Sequence, residues 1–171
     1  MKKNISIVSG TLNRKDNVER LIKNTIDKYD FLELVLVDGG STDGTIDYVK
    51  SLNYENLVFL NYGKRSSYSH FMNLGIRNTS NEYICIWDDD ALLINSWTEV
   101  LNVINSNKYD FYIFNWKLGN DINLMQDRQW LEGNDHSNDW NLVDETKNTP
   151  PGLVTMNYGI FDKQIFREIG M

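Results

Sequence analysis

Short apolar blocks alternate along the chain with stretches whose apolar residues recur at helical spacing. Residues 4–9 (NISIVS) read as a buried strand. Asp16 is the expected cap of a helix that turns Val18, Leu21, Ile22 and Ile26 to one side. Residues 33–37 (ELVLV) form the next strand, ending at Asp38. GGSTDGT is a turn, with Ser41 or Thr42 as cap of a helix through Leu52. A third strand spans 57–61. The polar loop YGKRSS follows, and then a helix carrying Phe71, Met72, Leu74 and Ile76. Residues 83–87 (YICIW) make a fourth strand, stopped by Asp88-Asp89-Asp90. Asn95 or Ser96 caps a helix with Trp97, Val100, Leu101 and Ile104. Residues 111–116 form a fifth strand. TMNYGIF (155–161) is a sixth, with Asp162 capping a short helix, KQIFREI.

Apolar strands in a βαβ rhythm predict an α/β fold, a mostly parallel sheet covered by helices on both faces. Ligands of such sheets bind beyond the carboxyl ends of the strands. The informative positions are therefore Ser9-Gly10-Thr11, Asp38-Gly39-Gly40-Ser41, the residues from Asn61 onward, and Asp88-Asp89-Asp90.

Composition narrows the function. At 171 residues the chain fits a single domain. A net charge of -7 argues against a generic nucleic-acid binder, which needs clustered Lys and Arg. Much of that charge sits in 119–148, where seven carboxylates (Asp121, Asp127, Glu132, Asp135, Asp139, Asp144, Glu145) face Arg128 and Lys147. That stretch has little periodicity and many turn formers. Cys85 is the sole cysteine, so a disulfide framework or Cys-rich zinc site is excluded, and its place in an apolar strand predicts a buried, inert thiol. The opening apolar run is too short for a secretory segment, and no run is long enough to span a bilayer, so the expected compartment is the cytoplasm.

The acidic triplet is the strongest chemical signal. Three carboxylates at one strand end repel one another unless something compensates them. A hard divalent cation such as Mg²⁺ or Mn²⁺ would do so, and a site with one or two carboxylates leaves coordination positions for a diphosphate. The alternative is a solvated acidic turn that caps the next helix. In DGGSTDGT, a good cap explains Ser41 to Gly44 but not an acid at the end of an apolar strand. Asp38 there can accept hydrogen bonds from a base or ribose. Thr11 and Asn13 offer polar groups in the first loop, and Gly10 allows a tight turn. Lys64 and Arg65 suit phosphates or a plain surface loop equally. His70 and His136 have no second histidine at ligand spacing. The chain lacks G-x-S-x-G, GxGxxG and GxxxxGK[ST], so hydrolase-elbow, dinucleotide and P-loop readings fail.

In order, ISIVSGTLNR, ELVLVDGGSTDGT, FMNLGI with NEYICIWDDD, and NYGIFDKQIFREIGM resemble the family 2 glycosyltransferases of the GT-A fold, which carry a D-x-D element. The resemblance implies a Rossmann-like sheet and one nucleotide-sugar-binding domain over 1–171. It implies an inverting transferase that takes a nucleotide-sugar donor, commonly a UDP-sugar, with Mn²⁺ or Mg²⁺. Gly10, Thr11, Asn13 and Asp38 would hold the nucleoside. Asp88 would lie near the ribose or metal, Asp89 would belong to the donor-binding set, and Asp90 would be the main metal ligand. Two positions depart from the pattern. Gly39 stands where many relatives have a second Asp that touches the base, and Leu12 where they often have a Tyr that stacks on it.

The acceptor would be a polysaccharide, glycolipid or protein glycan. Contact with a membrane is compatible with such acceptors, though nothing in the chain encodes it. The general base of relatives usually follows a GMFDE-like segment, which would begin at Met171. The expectation is a fragment truncated on its acceptor side; a base placed elsewhere, or lost catalysis, are the alternatives. Asp127, Glu132 and Asp135 lie in the irregular stretch without a motif that selects one, and Trp130 and Trp140 there would stack on sugars or pack in a small core. The rival readings are a nucleotide-sugar-binding module without turnover and a sugar-phosphate nucleotidyltransferase. SGTLNR lacks the GxGTRL-type loop expected of the latter.

Overall fold

The structure, a computed structural model, describes residues 4–93, 95–106, 111–113 and 159–168. Its elements are β1 (Ile5–Thr11), α1 (Lys15–Asn24), β2 (Leu32–Asp38), α2 (Thr45–Ser51), β3 (Leu57–Asn61), α3 (Tyr68–Arg77), β4 (Tyr83–Ile86), α4 (Trp97–Ser106), β5 (Phe111–Ile113), β6 (Gly159–Asp162) and α5 (Lys163–Glu168). The strands form one sheet of order β3-β2-β1-β4-β6-β5. β1 to β4 pair in parallel, and β6 runs antiparallel to both β4 and β5. This is the α/β sheet the alternating pattern predicts. The expectations for 114–158, including the acidic stretch, His136, Trp130 and Trp140, lie outside the described residues.

Strand periodicity of two sorts the core into two layers. Ile5, Ile7, Leu34, Leu36 and Cys85 turn to one face, where Val18, Leu21 and Ile22 of α1, Val49 of α2, and Trp97, Leu101 and Ile104 of α4 cover them. Val8, Val35, Val37, Ile84 and Ile86 turn to the other, under Phe71, Met72 and Ile76 of α3 and Phe166 of α5. Fully burying each such aliphatic side chain contributes about 1.5–3 kcal/mol. Cys85 is buried, and desolvation pushes its thiol well above the usual range, as an inert cysteine requires.

Two caps differ from expectation. α1 begins at Lys15 with Arg14 before it, so Asp16 lies in the first turn and caps nothing. The first N–H is held instead from the neighbouring loop, where Asp43 Oδ2 accepts from Lys15 N at 3.0 Å. α2 begins at Thr45 after Gly44 in the left-handed conformation, so neither Ser41 nor Thr42 caps it. Asp43 Oδ1 accepts from Thr45 N at 3.0 Å, while Ser41 and Thr42 are engaged elsewhere. Ile26 is buried just past the end of α1, which stops at Asn24. The other caps follow the sequence. Ser96 and Glu99 bond reciprocally, and Asp162 Oδ1 accepts from Gln164 N. Among the described residues no helix is long and apolar enough to cross a membrane.

α3 lies close on β1 because Gly75 presents no side chain to it. A Cβ there would stand 2.3 Å from Val8 Cγ1 and 3.4 Å from Val37 Cγ2. Both valines are fully buried, and Val has little rotamer freedom to yield. Gly75→Ala is expected to destabilise the fold by about 1–3 kcal/mol, the usual cost of overpacking, despite alanine's better helix propensity. Urea unfolding measures it, and an unchanged midpoint contradicts this packing.

Candidate functional site

The carboxyl ends of the parallel strands are built as one row. Register pairs Thr11 with Asp38 and Asp38 with Asn61. On the other side Thr11 Oγ1 donates to Asp89 Oδ2 at 2.7 Å, and Trp87 N still donates to Val8 O at 3.0 Å, which aims the chain leaving β4 along β1. Two acids thus flank one threonine at the sheet edge.

Asp38 is fully buried and organises its own loop. Its Oδ1 accepts from Gly40 N at 2.8 Å and Ser41 N at 2.9 Å, and its Oδ2 accepts from the Ser41 hydroxyl. A carboxylate has roughly four acceptor sites, so most of its capacity is used. Ser41 Oγ in turn accepts from Asn13 N at 2.8 Å. Asn13 has φ of 54°, left-handed, and its Oδ1 accepts from Thr42 N at 2.7 Å. Asp43 then holds Lys15 N. The loop after β1 and the loop after β2 are therefore one interlocked unit. Hydrogen bonding from the Thr45 hydroxyl is the main cause that lowers the Asp43 carboxyl below its usual range. Gly40 is required where the unit meets the loop after β3. Its φ is +90°, and a Cβ would stand 2.7 Å from Gly63 O.

The acidic triplet divides by burial. Asp89 is only 3% exposed and has both oxygens engaged, Oδ2 by Thr11 and Oδ1 by Arg14 Nη1 at 2.9 Å. Burial pushes its carboxyl upward, and the hydrogen bonds from Thr11 and Arg14 pull against that. Asp90 has a side-chain exposure of 52% and accepts from the same Arg14 Nη1 at 2.9 Å. Half-buried Asp88 accepts from the Tyr68 hydroxyl at 3.2 Å through Oδ1. The hydrogen bond to Asp89 is the largest contribution holding the Arg14 guanidinium above its ordinary pKa. Arg14 thus supplies one positive charge, shared by Asp89 and Asp90, from within the protein.

The structure brings Thr11, Asn13, Asp38, Asp88, Asp89 and Asp90 to one edge. Gly10 is there as well, but the space a side chain would fill is taken by Phe71 of α3, 3.3 Å from its would-be Cβ. Phe71 also covers Gly39 at 3.1 Å, with Leu12 at 3.5 Å. The two departures from the family pattern are thus neighbours in space. The sequence reading passed over Arg14, Tyr68 and an aromatic group at the rim, where Tyr62 packs on His70 at 4.7 Å and on Phe71 at 6.0 Å. Lys64 Nζ stands 5.5 Å over the Tyr62 ring, and Arg65 is exposed. An arginine three residues past the end of β1 was the available signal for Arg14.

Among the described residues no three or more His, Cys, Asp or Glu side chains are grouped to hold a metal. The donors available are the carboxylates of Asp90 and Asp88. That hard, sparse set suits Mg²⁺ or Mn²⁺ with most positions left to phosphate and water, and does not suit an all-protein cage. Two hollows lie elsewhere among the described residues. One is under Trp87, Ala91 and Trp97 beside α1, the other beside Tyr29 and Asn56. Neither hollow is lined by Thr11, Asn13, Asp38, Asp88, Asp89 or Asp90, and the candidate site rests on the chemistry of the sheet edge.

Residues 6–167 match the sequence profile of the family described as Glycosyl transferase family 2. A poly-beta-1,6-N-acetyl-D-glucosamine synthase of Staphylococcus aureus (strain MSSA476) is 23% identical over 91 residues, covering 52% of this chain and 22% of the relative. TarS of S. aureus superposes with a TM-score of 0.72 at 18% identity, over 96% of this chain and 29% of that one. This likeness shows the GT-A fold. The mannosyltransferase PcManGT from Pyrobaculum calidifontis, solved with GDP-Man and Mn²⁺, has a TM-score of 0.51 at 25% identity, over 61% of this chain and 32% of that one. The chain spans about a third or less of the length of these proteins.

The interlock predicts a pH-dependent defect. Asp43→Ala removes acceptors of two helix-start N–H groups and is expected to cost about 0.5–2 kcal/mol at pH 7. A carboxyl lowered in the folded state stabilises above its unfolded pKa, about 3.9, and loses that contribution as pH falls through the folded value. The gap between wild type and variant in urea unfolding should therefore close on acidification below about pH 4. A gap that persists there contradicts the charge-assisted capping.

Proposed function

This chain belongs to glycosyl transferase family 2, and from that premise we propose that it transfers a sugar from a nucleoside-diphosphate donor to an acceptor hydroxyl. In our reading the donor is a UDP-sugar, the configuration inverts, and Mn²⁺ or Mg²⁺ is used. The observation that carries it is Asp90, an exposed hard-oxygen donor set just past a parallel strand, beside the rigid row of Asp38 and Thr11. Relatives support the donor class. PcManGT was solved with GDP-Man and Mn²⁺, and TarS 1–349 with UDP and with UDP-GlcNAc. The name of the poly-beta-1,6-N-acetyl-D-glucosamine synthase supports a glycan product. In the same reading residues 1–171 belong to one nucleotide-sugar-binding domain.

Each residue then has a role. Asp90, with Asp88, would hold the divalent cation, which when bound supplies charge neutralisation for the departing diphosphate. Asp38 and Asn13 act through the backbone, fixing the two loops against which the nucleoside lies. Asp89, fully engaged by Thr11 and Arg14, positions those two side chains instead of touching the donor. Tyr68 orients Asp88. The acceptor is a hydroxyl of a polysaccharide, glycolipid or protein glycan. Its proton needs a base within about 2.6–3.2 Å, and we assign that role to no described carboxylate.

The test is UDP release from UDP-sugars, with candidate glycan acceptors, in the presence of Mn²⁺. Wild type should release UDP, chelation should stop it, and Asp90→Asn should lower the rate by about 10²–10³-fold, the scale of losing one transition-state stabiliser. Donor binding with no release under any acceptor would favour a binding module. Full activity in Asp90→Asn would refute the metal role.

A further inference from the structure

Arg14 gives one nitrogen to two very different carboxylates. Nη1 stands 2.9 Å from Asp89 Oδ1 and 2.9 Å from Asp90 Oδ2. Asp89 is 3% exposed, and its other oxygen is held by Thr11. Asp90 is half exposed, so water can replace the guanidinium there at little cost. At Asp89 the same loss would strand a buried charge, which is far more expensive. The backbone beneath Arg14 is fixed on both sides, by Ser41 and Thr42 on Asn13 and by Asp43 on Lys15. The side chain is thus a tether with one strong and one weak attachment, and the weak one is the carboxylate with free access to solvent.

We propose that Arg14 is a positioning residue that occupies Asp90 as an internal counter-ion in the donor-free protein and yields it to the divalent cation while keeping Asp89. This rests on the reading of Asp90 as a metal ligand given above. Two consequences follow. A cation arriving alone competes with a guanidinium, so it binds weakly. A cation arriving with a diphosphate offers the released N–H groups of Arg14 an anionic partner, a charge-assisted contact. Metal and nucleotide therefore bind cooperatively, each tightening the other by the same factor. The device would keep the acids organised while the site is empty and would favour loading of the metal together with its nucleotide.

The experiment is Mn²⁺ titration of the chain, read by electron paramagnetic resonance, without nucleotide and with saturating UDP. Without UDP, Arg14→Gln should bind Mn²⁺ about 2–5-fold tighter than wild type, the range of an exposed ion pair, and the tightening produced by UDP should shrink in the variant. Arg14→Lys, which keeps the charge, should stay near wild type. Equal or weaker Mn²⁺ binding in Arg14→Gln, with Asp90→Asn still failing to bind, overturns the role of Arg14 alone. Mn²⁺ binding that survives Asp90→Asn overturns the metal reading and the inference with it. The wild-type chain offers a readout free of folding effects, because the guanidinium ¹⁵N resonances of Arg14 should shift when Mg²⁺ and UDP are added together. No shift overturns the proposal.

Discussion

The buried carboxylate of Asp38 is the constraint on which the rest of the sheet edge depends. A charge that far from water costs several kcal/mol unless it is met by donors. Here the donors are two backbone N–H groups and a hydroxyl of the next three residues. Meeting that requirement forces the chain after β2 into a turn, and the turn leaves Ser41 Oγ and Thr42 N where the loop after β1 can bond to them. The local demand of one acid thereby becomes a link between two crossover connections. A single substitution at Asp38 would disturb both loops, not one side chain.

The same logic of burial separates three consecutive acids into three roles. Asp89 points into the protein and works as an acceptor for Thr11 and Arg14, Asp88 meets Tyr68, and Asp90 remains open to solvent. In the proposed reading the buried member, Asp89, organises the edge, while Asp90 and Asp88 would meet the cation. The Arg14 guanidinium, rooted in the interlocked loop, offsets part of the repulsion between Asp89 and Asp90. Burial thus gives the members of one short acidic run different surroundings.

Much of this architecture was legible in the sequence because it rests on periodicity. Ile5 and Ile7 alternate with Val8, and Val18, Leu21 and Ile22 recur at helical spacing, so strand and helix identities follow directly. The strand-end acids Asp38 and 88–90 fall together on one edge of the sheet. What the sequence concealed were contacts between distant segments. Ser41 and Asp16 carry good capping chemistry, yet Ser41 is drawn away by Asp38 and Asn13, while α1 takes its acceptor from Asp43 in another loop. Arg14 meets acids 75 and 76 positions away, a separation no local pattern encodes. The closeness of Gly39, Leu12 and Phe71 likewise appears only once α3 is laid on the sheet.

The proposed chemistry requires a divalent cation at Asp90. Anomalous diffraction at the manganese edge, from crystals of the chain grown with UDP and Mn²⁺, locates it directly. The account predicts a single strong peak within coordination distance of an Asp90 carboxylate oxygen and of the diphosphate, with Asp89 still bonded to Thr11. A peak on other side chains, or a bound diphosphate with no metal between it and Asp90, would contradict it.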